Sequence, residues 1–456
     1  PLQERGLDAL GDALCDPDAP RQLLVRGEQL LAPSLVPLPA ATGAATLHLR
    51  ADRSYLVTGG LGTLGLLVAG WLLTHGARRL LLIGRGAPSP QAERELERLR
   101  ATGAEVRVEL LDVADTPALA DVLYKVGASE HPLAGVIHAA GVLEDGLVSS
   151  LDPDRLQAAF AGKALGAWNL HSLTRDQPLE LFVLFSSLAG LLGSPGQAAY
   201  AAASAFLDSL AAHRAALGLP GVSIDWGPWA GSGLAVEVQG VERLAARGVP
   251  PLDPTIALEL LDQALDSGRA QVAAAAFDWR GARSSRAGEV ARELLGDLVP
   301  ETNDSDSPRG AMRDAVLEIA SPAEREQTLC RLMAEQVASV LRVKVSEIDV
   351  TIPFQSLGFD SLMAIELRDR LEVALDTRLS AALLFAHPTV DSLAEGLLER
   401  LAPAAEQTPA MTATTGNSDS DAPTPTPEED LSGLDEHELA TLLSSELQLH
   451  SGSGDA

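Results

Sequence analysis

Cysteine is nearly absent. Cys15 and Cys330 are the two in 456 residues, far apart and in no metal or redox spacing. That excludes a disulfide framework and a zinc motif, and it reads as two small buried apolar side chains in a reduced, cytoplasmic protein. Aromatic residues are also scarce, 4% against 46% hydrophobic, so any core is built from alanine and leucine. Basic charge is outnumbered, 34 Lys and Arg against 63 Asp and Glu for a net −29. A surface of that sign excludes a nucleic-acid partner. No apolar run approaches a membrane span, and no basic-then-apolar leader opens the chain. There is no starting Met, and the chain reads as part of something longer, with room for two or three domains.

What is present is an alternation. Apolar stretches at Tyr55–Thr58, Leu80–Ile83, Val106–Leu111, Gly135–Ala139, Leu181–Phe185, Val222–Trp226 and Gln271–Phe277 are separated by helical patterns. Strand–helix alternation at this spacing predicts a parallel, doubly wound α/β sheet of the Rossmann type. Residues 1–50 hold a short helix around Leu10–Leu14 and too few apolar residues for a core of their own. The α/β domain is expected over 51–288 and a polar linker over 289–322. A compact helical unit is expected over 323–402, its first amphipathic helix marked by Leu329, Leu332, Met333, Val337, Val340 and Leu341. Beyond Arg400 there is no Lys or Arg but eleven carboxylates and a Thr-Pro repeat, a composition that predicts disorder over 403–456. Near its end Leu439, Leu442, Leu443 and Leu447 share one helical face behind Asp435 and Glu438.

The first strand runs into Thr58-Gly59-Gly60-Leu61-Gly62-Thr63-Leu64-Gly65 and then an apolar helix. A glycine turn placed there lets a pyrophosphate approach backbone N–H groups at the helix N-terminus. The candidate dinucleotide contacts are Thr58, Gly60, Leu61, Gly62, Leu64 and Gly65. Arg85 follows the second strand, where a cation suits a 2′-phosphate and so NADPH; a plain surface arginine is the alternative. Asp112 and Val113 after the third strand, and Ala140 and Gly141 after the fourth, complete the set.

The fifth strand stops at Ser186-Ser187, and Tyr200 opens the alanine-rich helix beyond Gly193-Ser194-Pro195-Gly196. A hydroxyl at a strand end and a phenol on the next helix can converge on a carbonyl. Reducing that carbonyl needs a proton donor on its oxygen, and a phenol serves when a nearby cation stabilises its anion. Ser204, not lysine, stands four residues after Tyr200. Lys163, in the apolar stretch Phe160–Trp168, is the other candidate cation, unless it only snorkels to the surface.

In combination TGGLGTLG, HAAGVLEDG, FSSLAG and SIDWGPWAGSGLA, with the order Lys163, Ser187, Tyr200, resemble the ketoreductase domain of modular type I polyketide synthases over about residues 1–280. In that family the lysine lies upstream and an asparagine follows the tyrosine by four. The resemblance implies Tyr200 as proton donor, Ser187 as carbonyl-binding residue and Lys163 as their electrostatic partner, with Lys163 and Tyr200 also binding the NADPH. Ser204 takes the asparagine's place with a shorter group. Residues 1–50 resemble the end of the family's structural subdomain. Leu143-Glu144-Asp145 resembles the Leu-Asp-Asp fingerprint of B-type domains. Pro195 fits the same class, and Leu192 stands where A-type domains carry tryptophan. Together Asp145, Leu192 and Pro195 imply a D-configured β-hydroxyl, although Asp145 could simply cap a helix. Trp226-Gly-Pro-Trp229 would border the nicotinamide and Gly231–Ala235 enter a lid, with core packing the alternative for the tryptophans.

Asp360-Ser361 is, by position, a helix N-cap. Leu357-Gly-Phe-Asp-Ser-Leu362 and Phe385-Ala-His-Pro-Thr-Val390 also resemble the acyl carrier protein signature, which implies 4′-phosphopantetheine on Ser361. The terminal leucine face resembles, loosely, a docking segment that hands intermediates to the next polypeptide. The partners implied are upstream domains of the same module, a downstream synthase polypeptide and a phosphopantetheinyl transferase; no nucleic acid, membrane or metal is expected. Two rivals stand beside this reading: a redox-silent scaffold, which Ser204 favours, and a free-standing short-chain dehydrogenase, which the fused carrier unit opposes.

Overall fold

The computed structural model describes residues 4–16, 22–27, 29–38, 47–143, 146, 148, 151–231, 248–278, 294, 310–341, 343–359, 361–380 and 383–401. In chain order the front segment gives α1 (Glu4–Cys15), β1 (Leu24–Arg26) and β2 (Gln29–Leu31), the last two an antiparallel hairpin. The α/β unit follows: β3 (Ser54–Thr58), α2 (Thr63–Thr74), β4 (Arg79–Gly84), α3 (Pro90–Ala101), β5 (Glu105–Leu110), α4 (Thr116–Gly127) and β6 (Leu133–His138). Next come α5 (Pro153–Phe160), a π-helical turn (Ala161–Leu165), α6 (Gly166–Thr174), β7 (Leu181–Phe185), α7 (Leu188–Leu192) and α8 (Ala198–Ala216). It closes with β8 (Val222–Trp226), α9 (Pro254–Asp266) and β9 (Gln271–Ala274).

The seven strands β3 to β9 form one parallel sheet in the order β5-β4-β3-β6-β7-β8-β9. All seven expected strands are present. β9 stops at Ala274 instead of Phe277 because its neighbour ends at Trp226, opposite Ala274, leaving no ladder to extend. Alternate residues of each strand feed opposite faces. Tyr55 and Val57 pack with Leu72, Leu96 and Leu261 of α2, α3 and α9, whereas Leu56 packs with Leu119, Leu170 and Leu207 of α4, α6 and α8.

The helices start where an oxygen cap meets a proline. Ser89 accepts from the Ala92 N–H, Asp115 from Ala118, Asp152 from Arg155 and Asp253 from Thr255, each with proline in the first two helical positions. Each cap is worth about 1 kcal/mol. Chain order reverses between β3 and β6, so the carboxyl ends of those strands open a crevice at the switch point.

The carrier unit has a core of its own. Helices α10 (Ala311–Leu317), α11 (Pro322–Leu341), α12 (Ser361–Leu375), α13 (Leu383–Ala386) and α14 (Val390–Leu401) surround Val316, Leu329, Met333, Val337, Leu371 and Leu393, all fully buried. The stretch read as linker therefore contains α10, whose Met312 and Val316 belong to that core. Leu294, also in the linker, accepts from the Leu35 N–H at 2.6 Å.

The cysteines are not the buried apolar residues expected. Cys15 is exposed, and Cys330 is half-buried with its thiol donating to Asp391 Oδ1 at 3.0 Å. An amphipathic helix leaves one face in water whatever residue occupies it. Burial and then the Asp391 carboxylate push the Cys330 thiol up to about 12. No helix among the described residues is long and apolar enough to cross a membrane. The acidic tail, including the leucine-faced helix at 439–447, lies outside the described residues.

Candidate active site

A cavity of about 670 Å³ opens at the switch point. On one side it is floored by the glycine turn between β3 and α2. No side chain caps α2, so its first-turn N–H groups are left for an anion, and Gly62, Thr63, Leu64 and Gly65 border the cavity. A Cβ on Gly65 would lie 2.3 Å from the Gly59 carbonyl oxygen; only glycine lets helix and turn pack this closely. Thr58, Leu61, Arg85, Asp112, Val113, Ala140 and Gly141 border the same space, while Gly60 lies behind it against Leu82. A tight turn, an open helix N-terminus and an exposed Arg85 at the end of β4 fit a phosphorylated dinucleotide.

On the other side β7 ends at Ser186-Ser187. Ser187 caps α7, its Oγ accepting the Ala189 N–H at 3.2 Å. That bond uses the oxygen as an acceptor, which leaves the hydroxyl able to donate. Tyr200 lies in the first turn of α8, which begins two residues earlier than expected, at Ala198. Lys163 is 2% exposed, and its Nζ sits 4.0 Å from the centroid of the Tyr200 ring. Ser187, Tyr200 and Lys163 all border the cavity, as do Leu192 and Pro195. Asp145 and residues 232–235 of the expected lid lie outside the described residues.

Lys163 reaches the phenol because its helix is locally widened. Ala161–Leu165 is a π-helical turn between α5 and α6, a form that turns a side chain out of its regular position and is frequent at functional sites. His138 pins this turn. Its Nε2–H donates to the Lys163 carbonyl at 2.8 Å, so its Nδ1 accepts from the Thr58 hydroxyl at 2.7 Å. Burial lowers the His138 pKa to about 4, and the ring is neutral. Gly166 permits the close approach, since a Cβ there would meet Val113 Cγ1 at 2.5 Å. Sequence reasoning passed over His138; the signal was a histidine at the end of an otherwise apolar strand.

Ser204 is placed differently from the expectation. It is fully buried, borders no part of the cavity, and donates to the Tyr200 carbonyl at 2.9 Å. Its side chain is too short to leave the helix surface, so it bonds back one turn instead. Trp226 and Trp229 are both buried, in T-shaped contact at 5.0 Å, and both also border the cavity; packing and lining are one role here.

Residues 53–231 match the KR domain family and residues 331–397 the phosphopantetheine attachment site family. The spectinabilin polyketide synthase system protein NorB of Streptomyces orinoci is 44% identical over 365 residues, 78% of this chain and 17% of that protein. An A-type ketoreductase structure from a modular polyketide synthase is 37% identical with a TM-score of 0.57, covering 62% of this chain and 59% of its own. The PlmKR1 ketoreductase from the first module of phoslactomycin biosynthesis in Streptomyces sp. HK803 is also 37% identical, with a TM-score of 0.56 and coverage of 63% and 67%. A parallel sheet with a glycine turn, followed by a small helical unit, is the architecture of a ketoreductase-type domain with an attached carrier domain. The chain belongs to the polyketide synthase family, as a ketoreductase domain and its carrier. It spans less than a fifth of the curated relative's length.

Proposed function

We propose that this chain reduces a carrier-bound β-ketoacyl thioester to the β-hydroxyacyl thioester with NADPH. The observation that carries the reading is the Lys163 ammonium held 4.0 Å from the Tyr200 ring on the cavity that the glycine turn floors. When bound, the dihydronicotinamide supplies the hydride. The protein's own part is to orient the carbonyl and manage the proton. The Ser187 hydroxyl, its lone pair already engaged by Ala189, donates to the ketone oxygen. Tyr200 donates the proton that neutralises the alkoxide. Lys163 stabilises the phenolate left behind. Arg85 takes the 2′-phosphate, and the first turn of α2 takes the pyrophosphate.

In this reading Ser361, the first residue of α12, carries 4′-phosphopantetheine, the arm that brings the thioester to Tyr200. Leu192 and Pro195, with Asp145, bias the product toward the D-hydroxyl of a B-type domain. Upstream domains of the module supply the β-keto thioester, a phosphopantetheinyl transferase loads Ser361, and the acidic C-terminal segment docks on the next polypeptide. The protein works in the cytoplasm. The test follows loss of reduced-nicotinamide absorbance with a short β-ketoacyl thioester, comparing the protein with Tyr200→Phe. Turnover removed by the variant supports the reading. A folded, NADPH-binding protein without turnover points to the scaffold, which the inward-facing Ser204 favours; Ser204→Asn then tests whether that residue is responsible.

A further inference from the structure

Two carboxyl groups are buried on α8, the helix of Tyr200, and on the neighbouring β8, and the reaction described above uses neither. Asp208 sits on α8 two turns after Tyr200, at the i+8 position that keeps it on the same helical face. It is 8% exposed, and Asp225, the last residue but one of β8, is 0% exposed. Their side chains are within hydrogen-bonding reach of each other. Ser223 Oγ donates to Asp208 Oδ1 at 2.6 Å, and Gln271 Nε2 donates to Asp225 Oδ2 at 2.8 Å. Asp225 Oδ1 is buried with no donor of its own. Ser186 Oγ lies beside both carboxyls and donates to the Ser204 carbonyl at 3.1 Å.

Two adjacent carboxylates in so dry a site cannot both ionise. Protonating Asp225 satisfies its orphan oxygen, which then donates to Asp208 and leaves Asp208 as the anion. That anion acts electrostatically on Lys163. Lys163 has no carboxylate within ion-pair distance among the described residues, although it is almost fully buried. The same cluster ties two elements that bear active groups, the end of β7 and α8, to β8. Ser186 precedes Ser187, Asp208 extends the helix of Tyr200 and Ser204, and Asp225 anchors both to β8.

We propose that Asp208 and Asp225 share a single proton and act as positioning residues for Lys163 and Tyr200, with Asp208 the fixed counter-charge of the buried ammonium. This rests on the reductase reading for its functional consequence, though the shared proton does not. Burial, and then the Asp208 charge, raise the Asp225 carboxyl to about 8. The other titratable group acting on the pair among the described residues is Lys163. A basic limb in the rate profile is therefore expected from the pair.

The experiment combines infrared spectroscopy of the whole protein with kinetics of Asp208→Asn and Asp225→Asn, each checked for fold by circular dichroism and for NADPH affinity. A protonated-carboxyl stretch, shifted in deuterium oxide and lost in Asp225→Asn, is expected. Asp208→Asn should lower kcat tenfold or more with KM changed less than twofold, as loss of positioning requires. Asp225→Asn, whose amide can donate the same bond, should lose less and should abolish the basic limb. Absence of the infrared band overturns the proposal. So does a folded Asp208→Asn with unchanged kcat and pH profile. Should Asp208→Asn not fold, the basic limb decides, and its persistence in Asp225→Asn counts against the pair. An inactive parent protein that still shows the band sinks the reductase reading while leaving the shared proton in place.

Discussion

The Nζ of Lys163 lies over the ring of Tyr200, 4.0 Å from its centroid, although the two residues are 37 apart and on different helices. The contact depends on the π-helical turn and on the carbonyl that His138 holds. On the proposed roles, Tyr200→Phe removes the proton donor and should cost at least about 10²-fold in kcat, the lower end of general-acid contributions. Lys163→Ala should cost a comparable factor while NADPH still binds. Turnover with a short β-ketoacyl thioester and a fluorescence titration of the cofactor separate the two effects.

Arg85 makes a prediction about cofactor choice. It is exposed at the end of β4, on the cavity and free of any carboxylate partner among the described residues. If it takes the 2′-phosphate, Arg85→Asp should raise the KM for NADPH about tenfold or more and leave that for NADH little changed, since one charge-assisted bond contributes roughly 1.5–3 kcal/mol. Equal loss with both cofactors would place Arg85 elsewhere in the chemistry.

Much of this was readable in the chain, for physical reasons that differ by residue. The strands of the sheet announce themselves because burial on both faces leaves unbroken apolar runs such as Leu181–Phe185. Gly65 was legible because steric demand excludes other residues. Ser204 and Lys163 were harder. A hydroxyl on a helix can face the cavity or its own backbone, and only the fold shows that Ser204 bonds to Tyr200. The π-helical turn leaves no mark on hydrophobic periodicity, so the reach of Lys163 was invisible. Asp225 and His138 are polar residues inside apolar strands, a visible anomaly whose partners are distant in sequence. Helix α10 was hidden in a polar stretch because two residues, Met312 and Val316, suffice to seat it.

Ser361 opens α12 while the carrier core lies farther along that helix, at Leu367 and Leu371. Ser361→Ala should therefore abolish loading by a phosphopantetheinyl transferase, read as loss of the mass increment of the intact protein. The melting temperature of the carrier unit should move little, because the change removes a hydroxyl and no apolar group. Reduction of a free thioester should be unaffected, since that reaction needs no carrier arm.

His138 contributes a stability term that acid removes. Its folded pKa, about 4, lies below the ordinary value near 6.5. Its neutral form is thus favoured in the fold. The stability it contributes is present above pH 6.5 and is lost as pH falls toward 4, up to about 3 kcal/mol over that window. Asp225 acts in the opposite sense: its raised pKa favours the protonated fold, and its contribution is lost as pH rises through about 8. The two terms oppose each other between about pH 4 and 6.5, so melting temperature should change little there and fall between about pH 6.5 and 8. His138→Leu removes the histidine term, so stability should instead fall steadily from about pH 4, and it takes away the partner of the buried Thr58 hydroxyl and the imidazole donor to the Lys163 carbonyl. It should cost about 2–4 kcal/mol at neutral pH and lower kcat as well, since the turn that presents Lys163 loses its anchor. A His138→Leu protein with parental turnover and a parental pH–stability profile would show that the π-helical turn holds itself.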